Sequence, residues 1–179
     1  SSPLRQYAEG WTIDQLLRLT DEAITFAVGE GLPVMYVTED TTRADPDTLR
    51  VLYTAAIECG AKRVCICDTV GQSLPEGVQR LVRHVCGIVE ATGESVGVDW
   101  HGHRDRGLAV INTFAAIRAG ATRVHGCALG VGERAGNTPI DLVLVNLKLL
   151  GWIDRDLTRL REYCEAVARA LKVTIPSNY

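Results

Sequence analysis

No stretch of this sequence approaches the roughly 18 apolar residues that a membrane-spanning helix requires. Aromatic residues are scarce, at 6%, and Met occurs once. An excess of basic charge is also missing, since 19 Lys and Arg stand against 22 Asp and Glu, for a formal net charge of -3. Without a basic face, nucleic acid and membrane are excluded as expected partners. The opening SSPLRQYAEGW lacks the charged-then-apolar order of a secretory signal. It also lacks an initiating Met, so the chain is expected to be processed or cut from something longer. Nor is there a disulfide framework. The six cysteines, Cys59, Cys65, Cys67, Cys86, Cys127 and Cys164, sit mostly inside apolar runs, which suits a reducing, cytoplasmic setting. Cys65 and Cys67 have no second Cys or His pair at a zinc-site spacing, so they are expected to be small buried strand residues.

What is present is a legible rhythm of strands and helices. Thr12-Ile13-Asp14-Gln15 has the form of a capping box and predicts a helix that fades before Gly31. LPVMYVTED follows as a short apolar run ending in acids. Asp45 before Pro46 predicts an N-cap and a helix stopping near Gly60. RVCICD reads as a strand, Pro75 opens a helix running towards Gly93, and SVGVDWHGH reads as the third strand. A helix through Ala115 and Ala116 to Gly120, a fourth strand RVHGCALG, and a helix capped by Thr138-Pro139 and stopping at Gly151 complete the pattern.

An internal repeat supports this parsing: AAIECGAKRVCIC (55–67) and AAIRAGATRVHGC (115–127) match at most positions. Apolar strands alternating with helices imply an α/β fold with a parallel sheet covered by helices. Polar residues gather at the C-terminal ends of successive strands, as at the mouth of a (β/α)8 TIM barrel. No glycine-rich dinucleotide fingerprint follows the first strand. Only four strands are visible where a barrel needs eight, so half a barrel is expected, with open edges that something else must cover.

Four clusters at those strand ends carry candidate chemistry. His101 and His103 lie at i and i+2, so on a strand both imidazoles point to one side and could share one ion, or merely form a hydrogen-bonded polar end. GVGERAGN (130–137) has three glycines that let backbone approach a ligand, the charged pair Glu133 and Arg134, and Asn137, whose amide oxygen can face a cation or cap the next helix. Glu39 could serve acid-base chemistry and Arg43 could hold a carboxylate, unless the two simply pair at i,i+4. Asp68-Thr69-Val70-Gly71 sets a carboxylate and a hydroxyl beside a turn glycine.

HGHRDRGLAVINTFAAIRAGA followed by GVGERAGNTP resembles the DRE-TIM metallolyase superfamily, and within it the isopropylmalate, homocitrate and citramalate synthases. TEDTTRADPDTL and CDTVGQSLPE fall where that family has its fifth and sixth strands. The GERAGN loop is similar to the synthases rather than to hydroxymethylglutaryl-CoA lyases, which carry a cysteine-bearing loop there. The resemblance implies that residues 1–151 are the second half of a TIM barrel, strands five to eight. Residues 152–179 are then a following helical segment leading towards a C-terminal subdomain. It further implies a divalent metal (Mg, Mn or Zn) on His101 and His103, with Asn137 a further, weaker ligand. Glu39 and Thr69 become catalytic and substrate-binding residues, joined by Arg43, Gly132 and Glu133. Arg104 stands where many relatives have Asn or Asp. The implied activity is condensation of acetyl-CoA with a 2-oxo acid, releasing CoA, with isopropylmalate synthase and leucine biosynthesis the commonest assignment. The implied partners are the other barrel half, from the same gene or another chain, and a second copy in a homodimer. A lyase of the same superfamily, or a non-catalytic half-barrel subunit, are the competing readings.

Overall fold

The computed structural model of the chain describes residues 5–175; residues 1–4 and 176–179, at the outer ends of the expected barrel half and its following segment, lie outside the described residues. A short π-helical turn, Arg5–Glu9, leads to helix α1, Ile13–Gly29. The N-cap half of the expected capping box forms, with Gln15 N donating to Thr12 Oγ1 at 3.2 Å. Strand β1 covers Met35–Thr38 and helix α2 Pro46–Glu58, whose N-cap Asp45 accepts from Thr48 N at 2.9 Å. Strand β2 (Arg63–Asp68), helix α3 (Pro75–Thr92), strand β3 (Gly97–Gly102) and helix α4 (Ala109–Ala119) follow. Strand β4 is Arg123–Val124, and helices α5 (Ile140–Leu149) and α6 (Leu160–Leu171) close the described chain.

The four strands form one sheet in the order β1-β2-β3-β4, every pair parallel. This alternating α/β arrangement is what half of a (β/α)8 barrel requires. Tyr36, Val64, Ile66, Val98, Trp100 and Val124 turn to one face, where they pack with Leu49, Tyr53, Val78, Val82 and Ala116 from the helices. Alternate residues turn to the other face, which carries no helices among the described residues. There Met35 and Val37 stay 37% and 50% exposed although their strand is apolar. A parallel sheet is ordinarily covered on both faces; here the second face mixes exposed Met35 and Val37 with buried Cys65, Cys67 and Asp99.

Two expectations need correction. The fourth strand is only two residues long. After His125 N donates to Trp100 O at 2.9 Å, the chain leaves β3 and pairs with its own downstream segment, Cys127 N to Thr138 O at 3.0 Å and Ile140 N to Cys127 O at 2.9 Å. Gly126 permits this swing, since a Cβ there would lie 2.8 Å from Thr138 O. Thr138 does not cap α5. The residue is fully buried, and its hydroxyl donates to Gly102 O at 3.1 Å and meets Thr113 Oγ1 at 3.3 Å, which binds α5 to β3 instead.

Candidate functional site

β1 ends in a turn locked onto β2. Thr41 Oγ1 accepts from Cys67 N at 2.9 Å, and Tyr53 OH donates to Cys65 O at 3.0 Å. This fixes Glu39 and Asp40 beside the end of β2. Asp40 N then donates to Thr69 Oγ1 at 2.7 Å. With its oxygen accepting that bond, the Thr69 hydroxyl keeps its proton for an acceptor in the adjoining space.

The acid of the Asp68-Thr69 pair has a different task. Asp68 is buried and takes Gln72 N at 3.0 Å, Ser73 N at 3.3 Å and Thr42 Oγ1 at 3.2 Å, so it shapes the loop after β2. Burial pushes its carboxyl above the usual carboxylate range, against the pull of those donors. Gly71, at φ +59°, lets this loop touch the end of β3, because a Cβ would lie 2.8 Å from His103 O.

At that end of β3, His101 Nε2 and His103 Nε2 stand 3.2 Å apart, with ring centroids at 5.1 Å. Two imidazoles aimed at one point suit a shared cation. Burial, then the neighbouring His103 and His125, lower the pKa of His101 to about 4, so its lone pair is available at neutral pH. Asn137 is paired with His103 by an antiparallel bridge. Its Nδ2 donates to Cys127 Sγ at 3.4 Å, while its Oδ1 is buried without a hydrogen-bond partner. An orphaned amide oxygen costs about 1–3 kcal/mol, which a cation would relieve. The donor set thus fits part of a metal shell. Among the described residues no group of three or more His, Cys, Asp and Glu side chains is arranged to hold a metal.

An open cavity of about 390 Å³ brings Glu39, Thr69, His101, His103 and Glu133 together, over a floor of Met35, Val37, Cys65 and Cys67. Arg43, Gly132 and Asn137 are not among its lining residues. Arg43 does not pair with Glu39. Residues 41–43 form a 3-10 turn that brings i and i+3 together, and Arg43 Nε binds both carboxylate oxygens of buried Asp40, at 2.8 and 3.0 Å. Gly132 lies over the Asn137 side chain, where a Cβ would come within 2.5 Å of Nδ2.

His125 also lines the cavity, although it belongs to none of the four strand-end clusters. Its Nε2 bonds the fully buried Asp99 Oδ2 at 2.9 Å, its Nδ1 lies 4.0 Å from Cys65 Sγ, and its ring stacks edge-on to His101 at 5.6 Å. Asp99 is further paired with Arg63, and with Arg123 at 3.7 Å. The repeat holds the one signal, since it sets His125 at the position of Cys65, an inward strand position.

Comparison with known proteins decides the family. The HMGL-like family model matches residues 1–167. The chain belongs to the HMGL-like family. Similar HMGL-like relatives include the mitochondrial homocitrate synthase of Schizosaccharomyces pombe (36% identical, 99% of this chain, 42% of that protein). The (R)-citramalate synthase of Methanocaldococcus jannaschii is 35% identical over 99% of this chain and 36% of its own length. The 2-isopropylmalate synthase of Sulfurisphaera tokodaii is 38% identical over 96% of this chain and 44% of its own length. The chain therefore spans between 27% and 44% of the length of these and other curated relatives. The fold is similar to that of the Bacillus subtilis HMG-CoA lyase, with TM-score 0.82 and 18% identity over 99% of this chain and 62% of that one. No helix among the described residues is long and apolar enough to cross a membrane.

Proposed function

We propose that this chain is the second half, strands five to eight, of the (β/α)8 barrel of a metal-dependent enzyme that condenses acetyl-CoA with a 2-oxo acid and then hydrolyses the thioester with water to release CoA. The observation that carries the reading is the His101–His103 pair, with Nε2 atoms 3.2 Å apart at the strand ends that form a barrel's mouth. The named synthases among the sequence relatives support the condensing direction, at 35–38% identity. HMG-CoA lyase is matched in fold.

His101, His103 and the Asn137 oxygen would hold the ion; imidazole donors suit Zn, and an amide oxygen suits Mg or Mn. A bound divalent ion supplies Lewis acidity at the oxo acid's oxygens, offsetting the negative charge that grows on the ketone oxygen. Thr69 donates its free hydroxyl proton to the oxo acid. Glu39 and Glu133 line the mouth and orient the thioester. The apolar floor of Met35 and Val37 excludes water from the attacking carbon until condensation is complete.

CoA-thiol release by the full-length protein, with acetyl-CoA and a panel of 2-oxo acids, tests this reading. Metal-dependent release with one oxo acid is the expected result. Release of a carbonyl product from a hydroxyacyl-CoA, with silence across the panel, would overturn it in favour of the lyase.

A further inference from the structure

The Gly130–Asn137 loop is folded around a side chain from another strand end. Arg104 follows His103, and its Nε donates to Ala135 O at 2.5 Å while Nη1 reaches Leu129 O at 3.5 Å. Both side-chain hydrogen bonds go to backbone carbonyls, so the guanidinium serves loop geometry and neutralises no acid there. Its backbone joins in, with Arg104 N donating to Gly136 O at 3.0 Å. The loop closes on itself through Asn137 N to Gly130 O at 3.0 Å.

The glycines show how tightly the loop grips this arginine. A Cβ on Gly130 would lie 3.0 Å from Arg104 Nη1, and one on Gly136 would lie 3.0 Å from Arg104 Nε and fall onto the Gly130 carbonyl. Gly130 and Gly136 also sit at φ +64° and +105°, where side chains are strained. Leu129, at φ +59°, takes the same left-handed form without being glycine, and Asp141 Oδ1 accepts its N–H at 2.9 Å. Such backbone persists only where the surroundings over-determine it.

We infer that Arg104 is a positioning residue whose guanidinium, held between Gly130 and Gly136 and bonded to the Ala135 carbonyl, sets the loop so that Asn137 faces the metal beside His103. The inference rests on the proposed metal reading. A planar fork with several fixed donors can bridge two loop carbonyls at once, which a shorter amide cannot.

A double-mutant cycle read by Mn²⁺ affinity in the full-length protein tests it, using electron paramagnetic resonance of free Mn²⁺. Arg104→Met should weaken Mn²⁺ about tenfold, the scale of losing a group that orients a ligand. Arg104→Lys, which retains a donor and keeps the protein folded if Arg104→Met does not, should recover part of that loss. Asn137→Ala should weaken Mn²⁺ by itself, and adding Arg104→Met to it should weaken binding no further, because the two act through one ligand. A purely structural role would instead give additive losses, and additivity, or unchanged affinity in Arg104→Met, would overturn the inference. Wild-type affinity in His103→Ala would overturn the metal reading itself, and this inference with it.

Discussion

At Gly71 a single hydrogen atom separates a working turn from a collision. Its positive φ and the His103 carbonyl, 2.8 Å from where a Cβ would stand, mean that Gly71→Ala must push on the backbone of the histidine pair. A loss of about 2 kcal/mol is expected from strain and displacement together, measured by urea unfolding, along with weaker metal binding. A variant as stable as the parent would show that the loop yields freely. At Thr69 the effect should be confined to substrate. Thr69→Val loses one hydroxyl donor, so KM for the oxo acid should rise about three- to tenfold with melting temperature little changed, while Thr69→Ser should keep the parent value. Equal KM in Thr69→Val would remove this hydroxyl from the site. Residue types alone set Thr69 and the histidines at strand ends, and all three line one cavity. They could not separate Asp68, turned back onto its own loop, from Thr69, turned to the cavity. Nor could they show Arg43 folded against Asp40, since that depends on a 3-10 turn rather than a helix. Asp99 and His125 escaped for a related reason: they sit on different strands, and only the sheet brings them together.

Among the elements, legibility follows chemistry that acts within a few residues. Thr12, Asp45 and the glycines ending α3 and α4 each satisfy or release backbone groups locally, and the structure has them where the pattern puts them. Thr12→Ala should therefore cost about 1 kcal/mol, the usual value for an N-cap, seen as a lower midpoint in denaturant; an unchanged midpoint would mean that α1 is held by packing alone. β4 was not legible in the same way. RVHGCALG has strand-like composition throughout, yet its second half pairs with the 137–139 segment, which is remote in sequence. Thr138 failed as a predicted cap because a buried hydroxyl served Gly102 O instead, and tertiary burial outweighed local preference.

For the whole molecule the dominant fact is a sheet finished on one face only. Helices cover Trp100, Ile66 and Val64, while Met35 and Val37 face open space and the outer edges of β1 and β4 have no strand partner among the described residues. Unpaired edges and exposed apolar surface favour association. The isolated chain should sediment as an oligomer at tens of micromolar, a concentration-dependent state in the sense of mass action, and adding the complementary barrel half should replace self-association with a defined complex. A compact monomer at that concentration would show that the face is stable uncovered. Half a barrel was readable from four strand-helix units and their converging polar ends. The charged knot of Asp99 with Arg63, Arg123 and His125 was not, since it belongs to an interior that exists only once the strands lie side by side.

The strand order also bears on how the chain is made. From β2 onwards each described strand pairs with the one synthesised just before it, across connections of 24, 28 and 20 residues, so every step closes a loop of similar and modest entropy. Among the described strands none skips its neighbour in sequence to find a partner. A nascent chain can lay down the sheet in the order in which it leaves the ribosome, each new unit docking on a template already in place.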